Sequence, residues 1–202
     1  NQFSDLISKI GQVSELSIDT ETSSLDPHQA DLIGISISPK IGEAYYIPLK
    51  HKNFDNLSEK NVLKKLQHIL EDKSIKKIGQ NIKFDYIILY HRGIDIEPLE
   101  DTMLMSYVLD AGKNRHNMDT LSKIHLGHKT ISYKDLVGTG KKQINFSDVN
   151  IDQAKDYAAE DADVTYRLYK IFSKSLKSEN LLNLYEIFEK PLIKILALME
   201  IN

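Results

Sequence analysis

The chain opens with a short helical pattern of apolar positions from Phe3 to Ile10. A strand pattern follows at Glu15–Asp19. A second runs through Leu32-Ile33-Gly34-Ile35-Ser36-Ile37-Ser38, rich in β-branched residues and ended by Pro39. Ala44-Tyr45-Tyr46-Ile47 is a third, ended by Pro48. The few residues joining the second and third strands contain Gly42, which reads as a hairpin. The first fifty residues therefore predict a three-stranded antiparallel meander.

The periodicity then changes. Ser58 is a plausible N-cap for a helix to about Leu70, with Leu63, Leu66, Ile69 and Leu70 on its apolar face. Ile75–Ile78 reads as a short strand. Asn81 is expected to cap a helix reaching Tyr90 or His91, which Gly93 stops. From Asp101 nearly everything reads helical, over 101–110, 117–126, 151–173 and 177–189, and Pro191 fits the first turn of a last helix to about Glu200. Gly127–Val149 reads as a long loop, and loops of that length are functional or mobile. Strands first, then alternating helix and strand, then helices, predict an α/β fold with one mixed sheet.

Composition narrows the chemistry. The 202 residues suit one domain, and 41% hydrophobic with 27% charged residues is ordinary for a globular chain. The absence of cysteine excludes disulfides, thiolate zinc sites and cysteine nucleophiles. No apolar run approaches the roughly 20 residues that span a bilayer. Asn1-Gln2-Phe3-Ser4 has neither the basic nor the apolar region of a signal peptide, and the missing initiator Met suggests an excerpt from a longer protein. Net charge is −3, but it is unevenly spread: Lys113–Lys142 carries seven basic residues against Asp119 and Asp135, a net +5 that leaves −8 elsewhere. Such separation suits a molecule holding a polyanion with one part and metal ions with another; a solvated lysine-rich surface would look the same.

Three carboxylate signals stand out. In Ile18-Asp19-Thr20-Glu21-Thr22, strand alternation puts Asp19 and Glu21 on one face, about 7 Å apart, where both could bind cations or simply face water. Gly79-Gln80-Asn81-Ile82-Lys83-Phe84-Asp85 lies where a strand gives way to a helix, the place where α/β sheets bind ligands; Asp85 is also a favourable first-turn acid. In Tyr157-Ala158-Ala159-Glu160-Asp161-Ala162-Asp163, Tyr157 and Asp161 share a helix face that continues as Val164, Leu168 and Phe172. An ionised Asp on a packing stripe needs a metal or an ionic partner such as lysine. Asp156, Glu160 and Asp163 lie off that stripe and read as solvated. Four converging carboxylates would repel one another, and oxygen-only ligation of this kind selects Mg²⁺ or Mn²⁺. His125-x-x-His128 has metal-like spacing without a clear third ligand. Neither a phosphate-binding Gly-x-x-x-x-Gly-Lys loop nor a Gly-x-Ser-x-Gly elbow is present.

With these residues in view, the chain resembles the 3′–5′ exonuclease domain of bacterial DNA polymerase I, over nearly its whole length and in order. Asp19–Asp26, Gly79–Asp85 and Tyr157–Thr165 are similar to the three family motifs; Asp101–Leu104 and His128–Ile131 match between them, and Met199–Asn202 resembles the junction with a polymerase domain. The resemblance implies a ribonuclease H-like fold, one exonuclease domain over 1–202 with 190–202 leading toward a polymerase domain, and two divalent cations, Mg²⁺ or Mn²⁺. Asp19 would bridge both, Glu21 and Asp161 would complete the first site, and Asp85 would serve the second through water. Tyr157 would orient the attacking water, placing the chain in the tyrosine subgroup of DEDD exonucleases. Leu25 would wedge against the terminal base and Tyr133 would stack on the DNA, with Thr22, Gln80, Asn81 and Arg115 near the substrate strand. The implied partners are a single-stranded or frayed DNA 3′ end and the polymerase domain of the same parent chain, with no membrane, no second copy, and a bacterial cytoplasmic setting at the nucleoid. Two rivals remain open: a ribonuclease D-like enzyme trimming RNA, and a catalytically silent structural or DNA-binding spacer.

Overall fold

The computed structural model describes residues 2–202. Asn1, part of the N-terminal stretch that lacks signal-peptide character, lies outside the described residues. Five strands, β1 (Glu15–Thr22), β2 (Leu32–Lys40), β3 (Glu43–Pro48), β4 (Lys76–Gly79) and β5 (Leu99–Asp101), form one sheet in the order β3-β2-β1-β4-β5. The β1–β2 and β2–β3 pairs are antiparallel, and β4 and β5 join in parallel. The meander expected over the first fifty residues is thus present. Its second strand runs past Pro39 to Lys40, because a register shift between Ile37 and Lys40 accommodates the proline.

One sheet face presents Leu16, Ile18, Ile35 and Ile37 to a core shared with α1 (Gln2–Ile10), α2 (Glu59–Leu70), α3 (Ile82–Tyr90) and the C-terminal α9 (Lys190–Ile201). The opposite face sets small residues of β2 against Ser17 and the two acids of β1. Across the β1–β2 ladder, Ser17 faces Ser38, Asp19 faces Ser36 and Glu21 faces Gly34. Onto this face packs α7 (Ile151–Ser178), which places Ala154, Ala158 and Ala162 against the fold with no exposed surface. The Ser17 hydroxyl donates to the Ala162 carbonyl at 2.6 Å. Small side chains on both surfaces let helix and sheet approach closely, and this brings α7 carboxylates to β1. Gly34 is required for a different reason: a Cβ there would run into the Tyr46 ring.

Several boundaries differ from the sequence pattern. The sequence pattern assigns no strand at Leu99–Asp101 and starts a helix at its last residue; three residues carry no periodicity, and the strand exists because β4 pairs with it. The break expected near residues 174–176 falls at 179–181, where Asn180 takes a left-handed conformation and the Leu181 amide closes back on the Leu176 carbonyl. The 127–149 segment contains α6 (Tyr133–Val137) and two 3₁₀ turns, Gly140–Lys142 and Phe146–Asp148. The remaining helices are α4 (Thr102–Asp110), α5 (Met118–Leu126) and α8 (Leu182–Leu184), the last leading through a π turn at Tyr185–Glu189 into α9.

Asn81 sits at the N-cap of α3 but its side chain makes no cap, because it is left-handed with φ 61°. Asp101 does the work instead. Its buried carboxylate accepts from the amides of Asn81 and Ile82, both at 3.0 Å, and from Met103 and Leu104 at the start of α4, at 2.8 and 3.4 Å. One side chain therefore caps two helices. Burial pushes its pKa up to about 6 despite these four donors.

Two outcomes follow. Asp101→Ala strands four helix-terminal amides in the interior, so urea unfolding should show a loss of about 3 kcal/mol. Ala162→Leu overpacks the α7–sheet seam; denaturation should show a cost of about 1–3 kcal/mol.

Candidate active site

Asp19 and Glu21 leave β1 on the face covered by α7, and α7 supplies Asp161 and Tyr157. Ligand oxygens of Asp19, Glu21 and Asp161 lie within 4.8 Å of one another. They line a cleft of about 740 Å³ whose walls include Thr22, Leu25, Phe84, Asp119, Tyr133, Lys134 and Tyr157. Asp85, from the first turn of α3, is 3% exposed; its Oδ1 accepts from the Thr20 amide at 2.8 Å and from the Thr20 hydroxyl at 2.6 Å. It stands beside the other three: its charge acts on Glu21, and the charge of Asp19 acts on it.

Burial and mutual repulsion push this cluster toward protonation. Glu21 is raised well above the usual carboxylate range by desolvation and then by Asp19, Asp161 and Asp85. Asp19 is raised by desolvation and Asp161. Asp85 is raised by desolvation and Asp19, against the pull of its Thr20 bonds. Asp161 is raised by desolvation, with hydrogen bonding from Tyr157 opposing. Tyr157 is itself raised, first by burial and then by Asp161, so it stays a neutral phenol. Glu21 Oε1 is buried with no hydrogen-bond partner. A buried oxygen without a donor, among carboxylates that lack basic partners, fits hard divalent cations and leaves little else to satisfy it.

The two cleft tyrosines, Tyr133 and Tyr157, rest on Phe146, a residue of the 127–149 segment that no pattern singles out. Phe146, 1% exposed, stacks parallel to Tyr133 at 6.3 Å and lies 6.1 Å from the Tyr157 ring. Behind it sits His51 at 5.8 Å, which exchanges a 2.7 Å hydrogen bond with the Tyr46 hydroxyl. Phe146 and the Tyr46–His51 pair thus hold both cleft tyrosines from behind. Asp119, also in the wall, accepts from the Thr130 hydroxyl at 2.7 Å; as one of two acids in the basic segment it could have been singled out. Leu25 is 94% exposed at the rim. Its loop is anchored by Asn145, whose Nδ2 donates to the Ser23 carbonyl at 3.0 Å.

Gln80, Asn81 and Arg115 stand outside the cleft lining. Gln80 donates to the His116 carbonyl at 2.7 Å and accepts from the Thr102 hydroxyl at 2.6 Å, which ties the Arg115–His116 turn to the end of β4. Asn81 and Arg115 are exposed. Glu160 and Asp163, read as solvated, are mostly buried: Glu160 accepts from the Ile131 amide and pairs with His128 at 2.8 Å, and Asp163 pairs with Arg167 at 2.7 Å. His125 packs edge-on against Phe172 and His128 pairs with Glu160, and among the described residues neither histidine joins a group that could hold a metal ion.

The model of a 3′–5′ exonuclease family matches residues 1–177. DNA polymerase I of Rhizobium leguminosarum is 44% identical over 92% of this chain, and that of Borreliella burgdorferi is 41% identical over all of it. The chain spans about a fifth of each, 20% and 22% of their lengths. Among solved structures, Brucella melitensis NrnC with bound Mg²⁺ superposes with TM-score 0.70 at 25% identity, covering 94% of this chain and 84% of that one. Escherichia coli RNase D superposes with TM-score 0.72 at 14% identity, covering 98% and 48%, which shows the fold alone. The chain has the ribonuclease H-like fold of these exonucleases. Matched by the family model over most of its length and by these relatives at above 40% identity, the chain belongs to the 3′–5′ exonuclease family of bacterial DNA polymerase I.

Proposed function

We propose that the chain is one metal-dependent exonuclease domain that removes nucleoside 5′-monophosphates from a single-stranded or frayed DNA 3′ end, as the proofreading module of a cytoplasmic DNA polymerase I. The observation that carries this reading is the convergence of Asp19 with the buried Glu21 and Asp161, with Asp85 beside them and one Glu21 oxygen left without a hydrogen-bond partner. Two Mg²⁺ or Mn²⁺ ions held by these carboxylates would supply water activation near neutral pH and neutralise the phosphodiester.

The chain's own residues do the rest. Asp19, at the junction of both proposed sites, would reach both ions. Glu21 and Asp161 would hold one, and Asp85, already fixed by Thr20, would act on the other through water. Tyr157, a neutral phenol at physiological pH, would hold the attacking water in line by hydrogen bonding. Tyr133 would stack on a base and Leu25 would wedge against the terminal one; stacking is worth about 1–3 kcal/mol per base without sequence preference. Thr22 lies on the strand's path through the cleft. Gln80, Asn81 and Arg115 would meet the strand beyond it, alongside the β4 end. Lys129, Lys134, Lys141 and Lys142 are all exposed on the segment above the cleft, where a phosphate backbone would pass. A terminus that has already lost pairing enters this narrow site at less cost, so a sequence-blind pocket selects mismatches.

With 5′-labelled single-stranded DNA and Mg²⁺, the chain should give a ladder of shortened products that EDTA abolishes. Asp19→Ala should slow it by about a hundredfold to a thousandfold. A matched RNA oligonucleotide should be cut more slowly; faster RNA cleavage would favour the ribonuclease reading, and no cleavage with any divalent ion would favour a silent spacer. Tyr157→Phe should lose about tenfold to a hundredfold in rate with little change in KM.

Stability carries a second signature. Asp19 and Asp161 hold their protons up to about pH 8 and 7 when folded. Such groups favour the folded state below their unfolded values and lose that contribution as pH rises through the folded ones. In EDTA the melting temperature should therefore fall between pH 5 and 8. Mg²⁺ should remove most of that slope, and Glu21→Gln should raise the EDTA melting temperature while weakening the Mg²⁺ response.

A further inference from the structure

Glu160 is the neighbour of Asp161 on α7 but stands outside the cleft lining, because successive helical residues lie roughly 100° apart around the axis. Its side chain is 19% exposed and both of its oxygens are engaged. Oε1 pairs with the His128 ring at 2.8 Å, and Oε2 accepts from the Ile131 amide at 2.6 Å. Both partners belong to the stretch that leads from α5 into α6. That stretch is tied at two further points: the His128 carbonyl accepts from the Ser122 hydroxyl at 3.0 Å, and the hydroxyl of buried Thr130 donates to Asp119. α6 depends on such ties. It has five residues, and Ser132 at its N-cap makes no side-chain hydrogen bond, so its helical stability alone is slight. Its far end is held by Val137, buried in the small core around Phe146. Its first residue is Tyr133, two positions beyond Ile131, and the Tyr133 ring stands 6.0 Å from that of Tyr157. One turn of α7 therefore supplies Tyr157 and Asp161 to the cleft and, through Glu160, holds the start of its aromatic wall.

We propose that Glu160 is a positioning residue for substrate: through the Ile131 amide and the His128 ring it fixes the first turn of α6, and with it the clearance between the Tyr133 ring and the Tyr157–Asp161 side of the cleft, where a terminal base would sit. The inference rests on the reading of this cleft as a nuclease site in which Tyr133 stacks on a base. Glu160 acts only through Tyr133. Loosening α6 removes a stacking platform and leaves the cleft carboxylates in place, so the loss falls on substrate binding and spares the chemical step. A bond that merely stapled a loop would give no such partition, because its loss would lower the folded population and leave KM unchanged.

Steady-state shortening of 5′-labelled single-stranded DNA in Mg²⁺ by Glu160→Ala and Glu160→Gln tests this. Both variants remove a charge that acts on Asp161, so a change common to the two is electrostatic. Only Gln keeps an oxygen for the Ile131 amide, so the difference between them reports the latch. KM should be about fivefold to tenfold higher in Glu160→Ala than in Glu160→Gln, with kcat equal within about twofold. On a Tyr133→Ala background the same difference should shrink below about twofold, because the residue through which it acts is gone. Equal KM in the two variants, a difference confined to kcat, or a KM difference that survives on the Tyr133→Ala background would each overturn the proposal. Should circular dichroism show that Glu160→Ala does not fold, Glu160→Asp, one methylene shorter, takes its place, and a KM unchanged from the wild type overturns the proposal equally. The DNA-free protein gives a readout independent of activity. Its Ile131 amide should exchange about tenfold faster in Glu160→Ala than in Glu160→Gln, and equal exchange would sink the latch. A chain that shortens no DNA with any divalent ion, yet shows that exchange difference, would refute the catalytic reading and leave the positioning of α6 standing.

Discussion

Crowding of negative charge is the constraint to which the structure answers. Three carboxylates converge within 4.8 Å, a fourth stands beside them, and among the described residues no lysine or arginine pairs with them. A flexible scaffold would relieve that repulsion by moving apart. Here it cannot. Asp19 and Glu21 are fixed by the ladder that joins β1 to β2, Asp161 by a 28-residue helix whose alanines seat on the serines and glycine of the sheet, and Asp85 by two bonds from Thr20. The fold supplies rigidity so that the site can remain electrostatically unfavourable until something positive enters it.

Much of this could be read from the residues. The meander was legible because Pro39, Gly42 and Pro48 punctuate runs of β-branched residues, and alternation alone placed Asp19 and Glu21 on one face. Four-residue spacing did the same for Tyr157 and Asp161. What escaped notice depends on contacts distant in sequence. β5 has no pattern of its own and is defined by its neighbour. Phe146 lies in a segment of glycines and lysines, yet it is the hub on which the cleft aromatics rest. Asn81 satisfied the usual preference for a cap, but its backbone turned left-handed and a carboxylate twenty residues away took its place. Glu160 and Asp163 looked solvated because helical spacing says nothing about the loops that fold over a helix.

The charge asymmetry of the sequence also acquires a spatial meaning. The acidic cluster lies at the floor, while the basic 113–142 segment supplies one wall and the rim. A polyanion is drawn to the rim and would be repelled by the floor unless cations are present. Attraction and reaction are thereby separated by a few ångströms, and ion binding would gate access to the deeper position.

Asp101 has a consequence for motion. Because one carboxylate ties the first turns of α3 and α4, neither helix can fray at that end without releasing the other. The turn carrying Asp85 thus shares its opening events with a helix on the far side of the sheet, and hydrogen exchange there would register as a single cooperative unit. The most repulsive corner of the molecule is held shut by a remote hinge pin, which denies it the local breathing that charge repulsion would otherwise promote.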